Sequence, residues 1–277
     1  MSDGELTGKA AIVTGGGRGI GRAIAIALAE AGASVVITAA INSSEISAVA
    51  DEVNRRLGRP AVSAVVADVT SETACLRAVD HTISTFGGLH VVVNNAGRGM
   101  LFVRRDFLEH PTRFWETDAA AWKLVIDANV NGPFLMAKAA ANQLIAQKWG
   151  RIINISVSRE TMARAGFSPY GPSKAALEAE TAIWAGDLEG TGVTVNALLP
   201  GGITDTGMVP ADAAVRSQPG VMLDPSIMAA PVRWLASEAS DGVTGRRFIA
   251  KDWDATLPAA EAVARASTSL QDLLTKV

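Results

Sequence analysis

Short apolar runs alternate along the chain with longer stretches in which apolar residues recur at helical spacing. The apolar runs are rich in β-branched residues and end at glycine or polar residues, which is typical of strands. They cover residues 10–14, 34–39, 61–67, 89–94, 151–157 and 193–199. The stretches between them, such as IGRAIAIALAEAG and SSEISAVADEVNRRLG, are rich in alanine and predict helices. This alternation predicts an α/β fold with a doubly wound parallel sheet and helices on both of its faces.

The pattern predicts a single domain over residues 1–277, because no Pro/Gly/Ser-rich linker, internal repeat or low-complexity run interrupts it. Two segments, near 98–116 and 204–225, extend the connections after predicted strands. Both leave the carboxyl ends of strands, where open α/β sheets bind their ligands. They are therefore either walls or lids of a pocket, or simple excursions over the surface.

Composition narrows the classes of function. Hydrophobic residues make up 48% of the chain and charged residues 19%, which indicates a folded protein. The net charge of −3 disfavours a nucleic-acid partner, and no apolar run is long enough to span a membrane. The start MSDGELTGK lacks the features of a secretory signal and Cys75 has no disulfide partner, so we expect a cytoplasmic protein. The three histidines show no metal-ligand spacing, so no metal site is expected.

A glycine-rich turn follows the first predicted strand. Residues 14–21 read TGGGRGIG and lead directly into a helix. Glycines let a backbone approach a pyrophosphate closely, and the start of a helix offers unpaired N–H groups and a positive dipole end. Together, the turn, the strand before it and the helix after it predict a dinucleotide-binding site.

The end of the second predicted strand bears on which dinucleotide binds. A carboxylate there would pair with the ribose hydroxyls of NAD and repel the 2′-phosphate of NADP. Here the strand ends in Ala39 and Ala40, and no carboxylate follows before Glu45. Arg18 can meet a phosphate, so the sequence favours NADP(H) over NAD(H).

These residues resemble the short-chain dehydrogenase/reductase family over nearly the whole chain, particularly members like the 3-oxoacyl-carrier-protein reductases. The motifs that carry the resemblance are TGGGRGIG, Asp68-Val69, NNAG at 94–97, ANVNGPF, YGPSK at 170–174, and LLPGG with Ile203. The resemblance implies a Rossmann-type sheet and an oxidoreductase that moves a hydride between NADP(H) and a small-molecule carbonyl or alcohol. The cofactor-binding residues it implies are Gly15, Gly17, Arg18, Gly19, Ile20, Gly21, Asp68, Val69, Asn95, Ala96, Gly97, Tyr170, Lys174, Pro200, Gly201 and Ile203.

The resemblance also implies the catalytic residues. Tyr170 and Lys174 lie four residues apart and so share one helix face. An ammonium beside a phenol favours the ionised phenol, so Tyr170 would act as proton donor to a carbonyl, or as proton acceptor from an alcohol. Lys174 would also hold the nicotinamide ribose, and Asn129 would order a water beside it. Relatives commonly form dimers or tetramers, so a homodimer or homotetramer is implied.

One family residue is missing. Relatives usually carry a serine thirteen residues before the tyrosine, and Val157 stands at that position. Neighbours on a strand point to opposite faces, so Ser156 and Ser158 replace the hydroxyl only if the strand end is bulged or coiled; Ser158 is the better candidate. Three interpretations stay open. Ser158 supplies the hydroxyl, or the enzyme works without it, or the chain is a pseudoenzyme that binds NADP(H) without catalysis.

The sequence says little about the substrate. The segment 98–116 carries Arg104, Arg105, Arg113, Phe114 and Trp115. These residues suit an anionic or aromatic group, although a solvated basic loop is the simpler explanation of the arginines.

Overall fold

A computed structural model describes residues 4–275 and contains one eight-stranded sheet. The strand order is β3-β2-β1-β4-β5-β6-β7-β8, and every neighbouring pair is parallel except β7 and β8. The strands are β1 (Ala10–Thr14), β2 (Ser34–Ala39), β3 (Val62–Val66), β4 (Val91–Asn94), β5 (Gly150–Ile155), β6 (Val193–Leu199), β7 (Arg246–Ile249) and β8 (Ser267–Ser269). The sequence-based prediction of a doubly wound, essentially parallel sheet is confirmed.

Helices cover both faces of this sheet. They are α1 (Gly19–Glu30), α2 (Ser43–Leu57), α3 (Glu72–Phe86), α4 (Ala119–Ile126), α5 (Gly132–Ala146), α6 (Arg159–Met162), α7 (Tyr170–Asp187), α8 (Ala229–Ala236), α9 (Ala259–Ala266) and α10 (Leu270–Thr275). A π-helical turn, Asp127–Asn131, joins α4 to α5. In the described range 4–275, no helix is both long and apolar enough to cross a membrane.

Alternating residues of the central strands pack into two separate hydrophobic cores, one on each face of the sheet. On β1, Val13 packs in the core that contains α1, α2 and α8, whereas Ile12 packs in the core that contains α3 and α5. On β4, Val93 and Val92 divide in the same way. Strands buried on both faces read as continuous apolar runs, which is why the hydrophobic pattern located them well.

The pattern missed the two strands at the far edge. Strand β7 begins with Arg246 and Arg247, and β8 consists of Ser-Thr-Ser, so neither forms an apolar run. Arg247 is nevertheless buried, because its guanidinium pairs with the buried carboxylate of Glu178 at 2.8 Å. The antiparallel β8 closes this edge of the sheet by pairing with β7.

The order of the strands determines where a ligand can lie. The connections reverse direction between β1 and β4, so a crevice opens at the carboxyl ends of these two strands. The glycine-rich turn after β1, the residues after β4 and β5, and the start of α7 all reach this edge.

Candidate active site

The glycine-rich turn has no room for side chains. A Cβ on Gly21 would lie 2.2 Å from the carbonyl oxygen of Gly15, and Gly15 and Gly19 both have positive φ angles. Helix α1 begins at Gly19 with no acidic residue in its first turn, and Ile20 packs against the core behind it. The backbone therefore presents free N–H groups to the crevice in the arrangement that binds a pyrophosphate.

The residues after β4 are bonded to this turn. The hydroxyl oxygen of Thr14 accepts hydrogen bonds from the backbone N–H groups of Asn95 at 3.0 Å and Ala96 at 2.9 Å. The side-chain amide of Asn95 donates back to the carbonyl of Thr14 at 2.8 Å and to that of Gly15 at 3.2 Å. These bonds fix the backbone before Gly97 along one wall of the crevice.

The predicted adenine contact lies after β3. The Asp68 carboxylate accepts hydrogen bonds from the backbone N–H and the hydroxyl of Thr70. Val69 is buried against α5, where a Cβ on Gly132 would lie 2.7 Å from its Cγ2 atom. Asp68 and Val69 are thereby held at the same edge of the sheet as the glycine-rich turn.

The end of β2 carries no carboxylate. Glu45, in the first turn of α2, nevertheless brings a carboxylate to the glycine-rich turn. Glu45 lies 4.0 Å from the Arg18 guanidinium, and a Cβ on Gly17 would lie 3.1 Å from the Glu45 side chain. The Arg18 side chain is 76% exposed, so this ion pair is weak. No local sequence pattern signals this contact, since it depends on how the start of α2 packs beside the glycine-rich turn.

Tyr170 and Lys174 share the first turns of α7, which begins at Tyr170. Lys174 is 4% exposed, and its ammonium donates to the Ile155 carbonyl at the end of β5 at 2.8 Å. The Tyr170 ring packs against the buried Phe107 and Phe167. Pro172 is accommodated because it falls in the first helical turn, where its missing N–H breaks no helical bond.

Burial changes the acid–base properties of this pair. It raises the pKa of the Tyr170 phenol to about 12, so the phenol carries its proton at neutral pH. It lowers the pKa of the Lys174 ammonium to about 8, against the opposing effect of the nearby Glu178 carboxylate. Lys174 therefore keeps its charge at neutral pH and loses it as the pH rises above about 8.

Asn129 lies on the π-helical turn between α4 and α5 and is fully buried. Its carbonyl oxygen accepts from the Arg98 backbone N–H at 2.7 Å. Its amide nitrogen donates to the Arg98 carbonyl and to the Ser173 hydroxyl, both at 2.9 Å. Asn129 thus connects the segment after β4 to Ser173 in the first turn of α7.

The two serines beside Val157 have other partners. Ser156 is buried and donates to the Glu178 carboxylate at 2.7 Å, within the Glu178–Arg247 ion pair. Ser158 caps α6, where its oxygen accepts from the Thr161 N–H at 3.2 Å. The Val157 carbonyl accepts from Arg247 at 2.8 Å, which fixes the backbone here.

A loop after β6 covers the tyrosine. It starts at Pro200-Gly201, passes the exposed Ile203 and brings the Met208 sulfur 3.9 Å from the Tyr170 hydroxyl. Arg216 stabilises the fold of this loop, since its guanidinium donates to the carboxylate of Asp205 and to the carbonyls of Thr206, Val209 and Pro210. Sequence reasoning located the loop but missed the roles of Met208 and Arg216, which only the folded loop defines.

Comparisons with known proteins agree with this geometry. The model of the family described as short chain dehydrogenase matches residues 9–216. The 3-oxoacyl-[acyl-carrier-protein] reductase of Synechocystis is 36% identical over 247 residues, which are 88% of this chain and 95% of that protein. The cis-4-hydroxycyclohexanecarboxylate dehydrogenase of Sinomonas cyclohexanicum is 34% identical over 246 residues, 86% of this chain and 92% of that protein.

A solved structure extends the similarity to three dimensions. A dehydrogenase/reductase from Sinorhizobium meliloti superimposes with a TM-score of 0.74 at 35% identity, covering 86% of this chain and 92% of that one. The glycine-rich turn, the segment after β4 and the Tyr-Lys pair lie within the portion that the family model matches. The chain therefore belongs to the short-chain dehydrogenase/reductase family and is an oxidoreductase of the kind that uses a nicotinamide cofactor.

Proposed function

We propose that this protein transfers a hydride between NADP(H) and a small-molecule carbonyl/alcohol pair, with Tyr170 as the proton donor. The observation that carries the proposal is the placement of Tyr170 and Lys174 on consecutive turns of α7, at the carboxyl edge of the sheet. A bound nicotinamide supplies the hydride for reduction and accepts it for oxidation. In reduction, the Tyr170 O–H gives its proton to the carbonyl oxygen as the carbonyl carbon receives the hydride.

Lys174 and Asn129 support the phenol in this proposal. The Lys174 ammonium donates to the Ile155 carbonyl and has further N–H groups for the nicotinamide ribose and for Tyr170. Its positive charge favours the phenolate that remains after Tyr170 has released its proton. Asn129 connects the Arg98 backbone to α7, and the family resemblance implies that it would order a water beside the lysine.

We further propose that the enzyme works without a serine hydroxyl at the substrate oxygen. The contacts of Ser156 with Glu178 and of Ser158 with Thr161 support this interpretation over one in which Ser158 turns into the site. Removing one such donor costs about 2.7–4 kcal/mol at the transition state in other enzymes, which slows a reaction without abolishing it.

The proposed preference for NADP(H) gives a prediction for Arg18. We expect Arg18→Gln to raise the KM for NADPH about tenfold and to leave the KM for NADH within about twofold, because one charge-assisted phosphate bond is lost. Steady-state kinetics with each cofactor measure both values. Glu45→Gln is the matched control and should lower the KM for NADPH, since it removes the carboxylate that competes for Arg18. Equal loss with both cofactors would contradict the preference.

The rival function is binding of NADP(H) without turnover, which Val157 at the serine position keeps open. Binding of NADPH fits both functions, so only turnover separates them. We expect oxidation of NADPH, followed by its absorbance, when the protein is given a panel of ketones and aldehydes. A panel without turnover, together with tight NADPH binding, would favour the non-catalytic protein.

We also propose a homodimer or homotetramer, in the cytoplasm. Trp122 on α4, Phe134 on α5 and Ile183 on α7 are large apolar side chains that are 40%, 44% and 61% exposed. Apolar surface of this kind is typical of subunit contacts. Sedimentation velocity would show a monomer if this proposal is wrong.

A further inference from the structure

A cavity of about 430 Å³ lies between the segment 98–116 and the segment that leads into α7. This volume falls in the range of pockets that bind small molecules, about 300–1,000 Å³. Its lining residues are Thr112, Arg113, Phe114, Trp115, Met162, Ala163, Arg164, Ala165, Gly166, Phe167, Ser168 and Pro172. Two of them are arginines and none is acidic, so the cavity is positively charged.

Both arginines lie beside aromatic rings and form no ion pair within residues 4–275. The Arg164 guanidinium lies 4.7 Å from the Phe167 ring centre, a cation–π contact, whereas that of Arg113 lies 5.9 Å from the Trp115 ring centre, at the outer limit of such a contact. Arg104 on the same segment, by contrast, pairs with Asp106 at 2.7 Å. A guanidinium without a carboxylate partner has N–H groups available for an anion.

Thr112 also borders the cavity, but its hydroxyl does not open into it. The residue is 6% exposed, and its hydroxyl is buried without a hydrogen-bond partner among the described residues. Because this oxygen is closed off from solvent, it lies behind the cavity wall and is not a donor to a ligand in the cavity.

The wall beside the arginines is apolar and exposed. Phe114 and Trp115 pack edge to face at 5.1 Å between ring centres, and they are 71% and 67% exposed. Two large aromatic side chains left in water beside a cavity are typical of a binding site for an apolar group. The cavity thus combines two arginines that form no ion pair within residues 4–275 with an exposed aromatic wall.

We propose that this cavity binds the carboxylate of a small organic acid whose apolar body covers Phe114 and Trp115. Two guanidiniums on one cavity suit the two oxygens of a carboxylate. The cavity shares Phe167 with the cluster that packs around the Tyr170 ring. Tyr170 does not itself line the cavity, but Phe167 connects the two, and we infer that the acid is the substrate of the Tyr170 site. This inference rests on the proposed function, whereas the binding of the acid does not.

Calorimetric titration of the whole chain tests the binding directly, with benzoate as the probe and benzamide as its neutral counterpart. We expect benzoate to bind at least tenfold more tightly than benzamide, since only benzoate is charged. Arg113→Gln and Arg164→Gln should each weaken benzoate binding at least fivefold. Arg105→Gln, an exposed arginine of the same segment outside the cavity, is the matched control and should leave binding unchanged.

Thr112→Val is a second control beside the cavity. It is expected to leave benzoate binding unchanged without lowering the melting temperature, because the hydroxyl it removes is buried behind the cavity wall and has no partner among the described residues. Equal binding of benzamide and benzoate, or equal loss in Arg105→Gln and Arg164→Gln, would overturn the proposal. Tighter binding of inorganic phosphate than of benzoate would overturn the assignment to a carboxylate.

Kinetics then connect the cavity to the reaction. We expect 4-acetylbenzoate to be reduced with a lower KM than 4-acetylbenzamide, and Arg164→Gln to raise only the KM for the acid. Benzoate binding without turnover of any ketone would refute the proposed function and leave the carboxylate site standing. Turnover with no preference for the acid and no benzoate binding would refute the site and leave the function standing.

Discussion

Tyr170→Phe is expected to lower kcat for carbonyl reduction by about 10³-fold, within the ~10²–10⁴ range that positioned proton donors contribute. Tyr170 is the only tyrosine in the chain, so no second phenol can take over the proton transfer. The KM for NADPH should stay within about twofold, because the ring of phenylalanine preserves the packing against Phe107 and Phe167. Steady-state rates at saturating NADPH measure the effect.

Tyr170→Phe removes the proton donor with little other change to the structure. Within residues 4–275 the Tyr170 hydroxyl forms one hydrogen bond, to the Met208 sulfur at 3.9 Å, and sulfur is a weak acceptor. Its loss should change the free energy of unfolding by less than about 1 kcal/mol. Met208→Leu is the matched control: it removes the sulfur and leaves the phenol, so kcat should change less than about threefold. Turnover that survives in Tyr170→Phe would show that another group donates the proton.

The fold could be predicted because its central strands are buried on both faces. Strands β1 and β6 were predicted with the bounds that the structure has, since every residue in them is apolar or buried. The same signal fails at the edge of the sheet, where Arg247 is buried by pairing with Glu178 and not by being apolar. Hydrophobic pattern detects burial in an apolar environment, and it cannot detect burial through an ion pair.

Some features of the candidate site could also be predicted from the sequence, and others could not. The glycine-rich turn and the Tyr170–Lys174 pair are contiguous in the sequence, so their spacing alone predicts the shared geometry. The cap that Ser158 makes, the Met208 contact and the cavity between Arg113 and Arg164 depend on how distant segments fold back. Such contacts have no local pattern, and only the three-dimensional structure reveals them.

Val157→Ser is expected to raise kcat for carbonyl reduction about tenfold or more. Val157 stands where the family resemblance implies a serine, and the Arg247 bond to its carbonyl keeps the backbone in place when the side chain changes. A hydroxyl there would donate to the substrate oxygen as negative charge develops on it, an effect worth about 10²–10³-fold in a preorganised site. We expect part of that gain, because the site has not been arranged around a hydroxyl.

Two further variants distinguish the effect of the added hydroxyl from the effect of the space that the lost methyl groups leave. Val157→Ala removes methyl groups without adding a donor, so it should not raise kcat, and it should cost about 1 kcal/mol of stability through lost apolar burial. Val157→Thr keeps the branched shape and adds a hydroxyl, so it should share the gain of Val157→Ser. Equal gains in Val157→Ala and Val157→Ser would assign the effect to substrate access. Activity that exists only in the hydroxyl variants would identify the natural chain as a protein that binds NADP(H) without turning a substrate over.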